Sequence, residues 1–165
     1  MDIVRILKHL CTTGLHLRRR FPQVTRDAIE QEIAKSEALH NGELRFAIET
    51  ALDLPPLLHG LRSRQRAFDV FSRLRVWDTE MNSGVLIYLL LVDHKVEIVA
   101  DRGIAAKVDQ SEWESICREM EKAFRSGDFK AGSMLGVQRI STLLAQHFPA
   151  GSRNPNELPN QPFIL

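Results

Sequence analysis

Between Gly84 and Val92 the chain reads Val-Leu-Ile-Tyr-Leu-Leu-Leu-Val, eight apolar residues with no polar interruption. A strand with one face in water alternates apolar and polar side chains. An unbroken apolar run bounded by turn residues therefore predicts a strand covered on both faces. It is far shorter than the ~20 residues of a membrane-spanning helix. Asp93-His94 predicts a tight turn, after which Lys95 to Ala100 returns as an antiparallel partner with Val96 and Ile98 turned inward. An interior strand of this kind needs helices above and below it, which sets the fold class as α/β.

The flanking sequence supplies those helices. Asp2 to Thr12 predicts a short helix with Ile3, Ile6, Leu7 and Leu10 on one face, followed by the basic turn Arg18-Arg19-Arg20. A second helix is predicted from about Arg26 to Leu39, with Thr25 as N-cap, Val24 stapled against Ile29, and Ile29, Ile33 and Ser36 facing the core. It ends at His40-Asn41-Gly42. Glu43 to Ala51 alternates, with Leu44, Phe46 and Ile48 on one side, and predicts a half-buried strand. Pro55-Pro56 predicts a loop. A helix capped by Ser63 follows, with Ala67, Val70, Phe71 and Leu74 at helical spacing. Ser111 and Glu114 form a capping-box pattern ahead of a helix with Trp113, Ile116, Cys117, Met120 and Phe124 on its apolar stripe. A final helix runs from near Asp128 to about Phe148. The expected division is an amphipathic basic segment 1–22, an α/β domain 23–148 and an extended or disordered tail 149–165. The domain is expected to be a three-layer α/β/α sandwich around a small mixed sheet.

A net charge of +1 over 165 residues provides no concentrated positive field, so nucleic acid is not an expected partner. The arginine run follows the first apolar residues instead of preceding them, the reverse of a secretory signal, and the expected compartment is the cytoplasm. Two cysteines, Cys11 and Cys117, are too few for a structural zinc site and are expected as free thiols.

Several segments in order and spacing resemble the TPM domain, named for a thylakoid-lumen protein, a photosystem II repair protein and a nematode receptor modulator. They are Gly42-Glu43-Leu44-Arg45-Phe46-Ala47-Ile48, the loop and strand Glu80-Met81-Asn82-Ser83-Gly84-Val85-Leu86-Ile87, and Val96-Glu97-Ile98. The fourth, Phe124-Arg125-Ser126-Gly127-Asp128-Phe129-Lys130-Ala131-Gly132, is similar to the family's F..GDY..G pattern. The resemblance implies an α/β/α sandwich. It also implies divalent cation binding in some members, acid phosphatase activity in the plant lumen member, and membrane-anchored bacterial relatives that accompany LemA-type proteins. This chain differs in two respects. No leader or transmembrane anchor is expected, and Ala100-Asp101-Arg102-Gly103-Ile104 stands where many relatives carry Gly-Tyr-Gly.

The antiparallel hairpin brings the start of the central strand beside the end of Lys95–Ala100. Asp78, Glu80, Asn82, Asp101 and Arg102 are therefore expected on one rim, with Glu43 on the same side. Carboxylates and an amide are hard oxygen ligands suited to Ca²⁺ or Mg²⁺, and Arg102 is suited to an anion. The same residues also read as solvated loop charges, with Asp101 paired to Arg102. A metal-assisted phosphatase would place the phosphoryl group between the cation and Arg102. No nucleophile motif is present, and His40, His59, His94 and His147 have no fixed partner. Three readings follow: a binding domain with a protein partner and a cation at the rim, a weak metal-assisted phosphatase, and a membrane-surface adaptor acting through Arg18, Arg19 and Arg20.

Overall fold

The computed structural model describes residues 3–12, 14–58, 60–152 and 154–165. The elements are α1 (Ile3–Cys11), α2 (Gly14–Arg20), α3 (Gln23–Glu37), β1 (Glu43–Glu49), α4 (Leu54–Leu58), α5 (Ser63–Arg73), β2 (Gly84–Leu90), β3 (Lys95–Ala100), α6 (Arg102–Ala105), α7 (Gln110–Arg125), α8 (Phe129–His147) and β4 (Phe163–Ile164). The sheet has the order β3-β2-β1-β4. Strand β1 runs parallel to β2, with Glu43 opposite Gly84, and parallel to β4, with Ala47 opposite Phe163. Strand β3 is antiparallel to β2, with Val85 opposite Ala100.

As the unbroken apolar run predicts, every residue of β2 is buried. Val85, Ile87 and Leu89 join Leu44, Phe46 and Ile48 under α3, α7 and α8. Leu86, Tyr88 and Leu90 pack on the other side with Ala67, Val70 and Phe71 of α5 and with Leu158 near the C-terminus. The result is the expected sandwich. The Phe124–Gly132 stretch turns α7 into α8. Gly127 takes a left-handed φ of 84°, a region that glycine enters without steric strain. Asp128 then caps α8 through Ala131 N–H, and Phe124 stacks on Phe129 at 5.4 Å.

Five local expectations are corrected. Strand β1 is not half-buried, because all seven residues are covered, and its polar side chains have partners described below. Helix α3 starts earlier, at Gln23 with Pro22 as N-cap, so Thr25 lies buried within the helix and Val24 is exposed. The fixed φ of proline favours that start. Pro55 and Pro56 lie in the first turn of the short helix α4, where a missing N–H leaves no bond unmade. The cap of α7 is Asp109, whose side chain accepts from Ser111 N–H, and the cap of α5 is Arg62.

The largest departure is the C-terminal segment, which is extended but docked. Glu157 N–H and Leu158 N–H both donate to the Glu43 carboxylate at 3.1 Å. Arg45 Nη1 donates to the Pro159 and Gln161 carbonyls, and Leu165 N–H donates to Ile48 O at 2.9 Å. These bonds seal the outer edge of β1, an edge that would otherwise present unpaired backbone groups.

Candidate functional site

The rim expected from the sequence lies at the end of the sheet where β1 and β2 begin and β3 ends. Three of its residues interlock. Asn82 has a φ of 52°, its carbonyl accepts from Gly103 N–H at 3.0 Å, and its side-chain oxygen accepts from Arg102 Nε at 3.0 Å. Asp101 N–H donates to Gly84 O at 2.8 Å, and its carboxylate caps α6 through Arg102 N–H. A Cβ on Gly103 would lie 2.5 Å from the Asn82 carbonyl oxygen, so the tight crossing requires glycine. The second Asp101 oxygen is buried without a hydrogen bond.

The other three expected residues are held elsewhere. Asp78 is exposed and paired with Arg75 at 2.8 Å. Glu80 is exposed and contributes its backbone N–H to Glu157. Glu43 shares the rim through its backbone only, with its N–H toward Ser83 O at 3.4 Å. Its carboxylate turns to the C-terminal segment. The expected residues are thus not gathered into one oxygen cage. Among the described residues, no group of three or more His, Cys, Asp or Glu side chains is placed to hold a metal ion.

The opposite end of the sheet carries the carboxyl ends of β1, β2 and β4, where open α/β sheets commonly receive ligands. Helix α1 closes it. His9 is buried, its Nδ1 accepts from Leu52 N–H at 2.9 Å, and its Nε2 lies 3.2 Å from Asp93 Oδ1. These contacts define the neutral tautomer with the proton on Nε2. Burial lowers the His9 pKa and Arg5 acts in the same direction, while Asp93 and Glu49 oppose them. Arg5 Nε donates to Asp93 at 2.9 Å. The polar side of α1 therefore faces the protein, and its apolar side chains face out, with Ile3, Val4, Leu7 and Leu10 between 53% and 63% exposed. Of the stripe expected to pack on the core, Ile3, Leu7 and Leu10 are turned to solvent and Ile6 is half-buried.

Beside α1, a cleft of about 450 Å³ is lined by Arg5, Lys8, Arg62 and Lys95 with Asp93. Arg18 and Arg19 are exposed on α2, whereas Arg20 lies over the Phe129 ring at 5.3 Å. Among the histidines, His40 is buried against the Gly42 backbone. His94 occupies the β2–β3 turn with a φ of 48°, His147 ends α8, and His59 lies outside the described residues. Nothing local in the sequence marks His9 as an anchor, because its partners Leu52 and Asp93 lie far along the chain.

The TPM domain profile matches residues 19–143. The chain belongs to the TPM domain family. Among solved structures, it is similar to the BA42 protein of the psychrophilic bacterium Bizionia argentinensis, at 27% identity and a TM-score of 0.74 over 94% of this chain and 96% of that one. It also resembles the N-terminal domain of a P. gingivalis protein, at 14% identity and a TM-score of 0.62 over 85% of this chain and 94% of that domain. The second likeness concerns the fold alone. No curated protein matches the sequence. Helix α1 and the segment after α8 both fall outside the residues of the TPM match.

Proposed function

We propose that this TPM domain is a non-catalytic binding module that docks on an anionic membrane surface through α1 and α2. The observation that carries the reading is the orientation of α1, which buries its polar edge and presents Ile3, Val4, Leu7 and Leu10 outward. Helix α4 lies beside it and exposes Leu54 and Leu58. Charge favours lipid as the occupant. Residues 3–26 contain six Lys and Arg and no Asp or Glu, and the cationic cleft beside α1 has room for a phosphate headgroup.

No helix among the described residues is long and apolar enough to cross a membrane, so the contact proposed is peripheral. Immersing four half-exposed apolar side chains is worth about 1 kcal/mol each. Each cation near an anionic surface adds about 1 kcal/mol. Together these terms give reversible binding that needs both contributions. The phosphatase reading is less well supported, because Arg102 is engaged by Asn82 and the expected carboxylates do not converge on it.

The test is co-sedimentation with phosphatidylglycerol-containing vesicles at low salt, against pure phosphatidylcholine. Binding is expected only to the anionic vesicles. Leu7→Ala with Leu10→Ala should weaken it roughly 30-fold, from about 1 kcal/mol lost per side chain, while leaving the melting temperature unchanged. Equal binding by the double variant would refute the reading. A dimer of the free protein that dissociates in that variant would instead assign the apolar face to a second copy.

A further inference from the structure

The walls of the cleft beside α1 come from three parts of the chain. Helix α1 contributes Val4, Arg5 and Lys8, the start of α5 contributes Arg62, and the β2–β3 turn contributes Asp93 and Lys95. Four cationic side chains therefore line a cleft with one carboxylate, and that carboxylate is already answered from within. Arg5 Nε donates to Asp93 Oδ2 at 2.9 Å, and His9 Nε2 lies 3.2 Å from Oδ1. Lys95 reaches Glu121 at 3.3 Å with its side chain still 52% exposed. Lys8 and Arg62 are exposed, and among the described residues neither meets a carboxylate.

Folding gains nothing from this arrangement. Like charges converging on a concave surface raise the local potential. Arg62 is the N-cap of α5, with no acidic residue in the first turn after it, and a cation at a helix start opposes the dipole. An anion in the cleft reverses the sign of both effects. Arg and Lys are the side chains that hold phosphate, Arg through paired N–H groups and Lys as a point charge. A phosphomonoester carries about −1.5 to −2 at pH 7 on three acceptor oxygens, and a phosphodiester offers less of both. The unmatched charges of Lys8 and Arg62, with Lys95 beside them, fit the monoester.

We infer that this cleft binds a phosphomonoester group, held by Lys8 and Arg62 with Lys95 at its edge. As a lipid headgroup, that phosphate rests on the membrane-facing reading of α1. Val4 lines the cleft and also stands exposed on the outward apolar face, so headgroup and acyl chains would meet adjoining parts of one helix. A free phosphate would use the same cations without that face. Val4, Arg5 and Lys8 precede the TPM match at residues 19–143, and the cleft is therefore not carried by the matched domain alone. Its walls belong partly to α1 and partly to the sandwich. The cleft exists only while α1 is docked, and a bound phosphate should tighten that docking.

The experiment has a soluble arm and a vesicle arm, both on the full chain at neutral pH. In the first, inorganic phosphate is titrated against chloride at equal ionic strength, and backbone amide NMR shifts and α1 amide exchange are followed. Saturable shifts at Lys8, Arg62 and Lys95 are expected, with slower exchange in α1. In the second, phosphatidic acid vesicles are compared with phosphatidylglycerol vesicles of matched surface potential, and binding about fivefold tighter to phosphatidic acid is expected. Lys8→Gln with Arg62→Gln, at exposed positions, should leave the melting temperature unchanged, abolish the phosphate shifts and bring the two vesicle types level. Phosphate shifts without a vesicle preference would support the site and assign its ligand to free phosphate. Phosphate shifts without binding to either vesicle would support the site and refute the membrane reading. The phosphomonoester site is overturned if phosphate gives no saturable shift and the two vesicle types bind alike, or if the responses survive the double variant.

Discussion

Acidification should loosen α1, and His9 should be the reason. In the folded protein the His9 Nδ1 lone pair accepts from Leu52 N–H at 2.9 Å. A second proton on the ring would set two donors against each other at a buried position. Burial and the Arg5 charge lower the His9 pKa from 6.5, against the pull of Asp93 and Glu49. The sign follows from linkage. A group whose pKa is depressed in the docked state binds more protons when released, so docking is at full strength above pH 6.5 and weakens as pH falls below it. The slope reaches about 1.4 kcal/mol per pH unit. Between pH 7.5 and 5.5 the open population of α1 should therefore rise, at most by roughly tenfold. Hydrogen exchange of the α1 amides, corrected for the intrinsic pH dependence, measures that population. His9→Gln provides an acceptor for Leu52 and a donor for Asp93 without a titrating ring, and it should flatten the profile. If α1 protection in the unmodified protein is the same at both pH values, or if His9→Gln shows the same fall, His9 is not the titrating anchor.

Gly84→Ala should prevent stable folding, because a Cβ at Gly84 would overlap the backbone carbonyl of Val76, and circular dichroism of the purified variant would show it. Tyr88→Phe removes a buried hydroxyl that donates to Glu49 at 2.6 Å. The variant should lose about 2 kcal/mol, a melting-temperature drop of roughly 4–8 °C for a chain of this size; an unchanged melting temperature would contradict the buried network. Cys11 is exposed, and burial pushes the Cys117 thiol up to about 12. Iodoacetamide at pH 8 should therefore label Cys11 rapidly and Cys117 only after denaturation, read by mass spectrometry, and equal labelling of both would contradict the buried thiol.

The interior strand, its hairpin and the α7–α8 turn were legible because their causes are local. Eight apolar residues in a row, Asp93-His94, and Gly127 before Asp128 each dictate a conformation within a few positions. Strand β1 was misread for the opposite reason. Its alternation of Glu43, Arg45 and Glu49 with apolar residues is the usual mark of a wet face. Here each polar side chain is covered by a distant segment. Glu43 and Arg45 meet residues 157–161. Glu49 meets Arg66 at 2.8 Å and Tyr88 at 2.6 Å. No spacing rule reveals a partner more than 100 residues away. Asn82, Asp101 and Arg102 do meet at one end of the sheet, but side-chain direction keeps the expected carboxylates apart, and Glu43 points the other way.

The position of the two terminal segments follows from the same asymmetry. The residues of the TPM match build the closed sandwich, in which β2 has no exposed side chain and Glu49 of β1 is partnered from within by Arg66 and Tyr88, while Glu43 and Arg45 are left for a segment outside the match. Helix α1 reaches Asp93 and Leu52 at the carboxyl ends of the strands. The C-terminal segment reaches Glu43 and Arg45 along the β1 edge. Helix α1 is held by hydrogen bonds between polar groups rather than by extensive apolar burial, and such contacts are the first to open, whereas the C-terminal segment adds the apolar contacts of Leu158, Phe163 and Leu165. The sandwich can release α1, whose one buried residue is His9, without exposing its core, whereas loss of the C-terminal segment would uncover Leu86, Tyr88 and Leu90. Helix α1 is therefore the part able to answer pH and a charged surface. If that division holds, lowering the pH from about 7.5 to about 5.5 should speed exchange of the α1 amides, corrected for the intrinsic pH dependence, and leave the Leu165 amide, bonded to Ile48 O, unchanged.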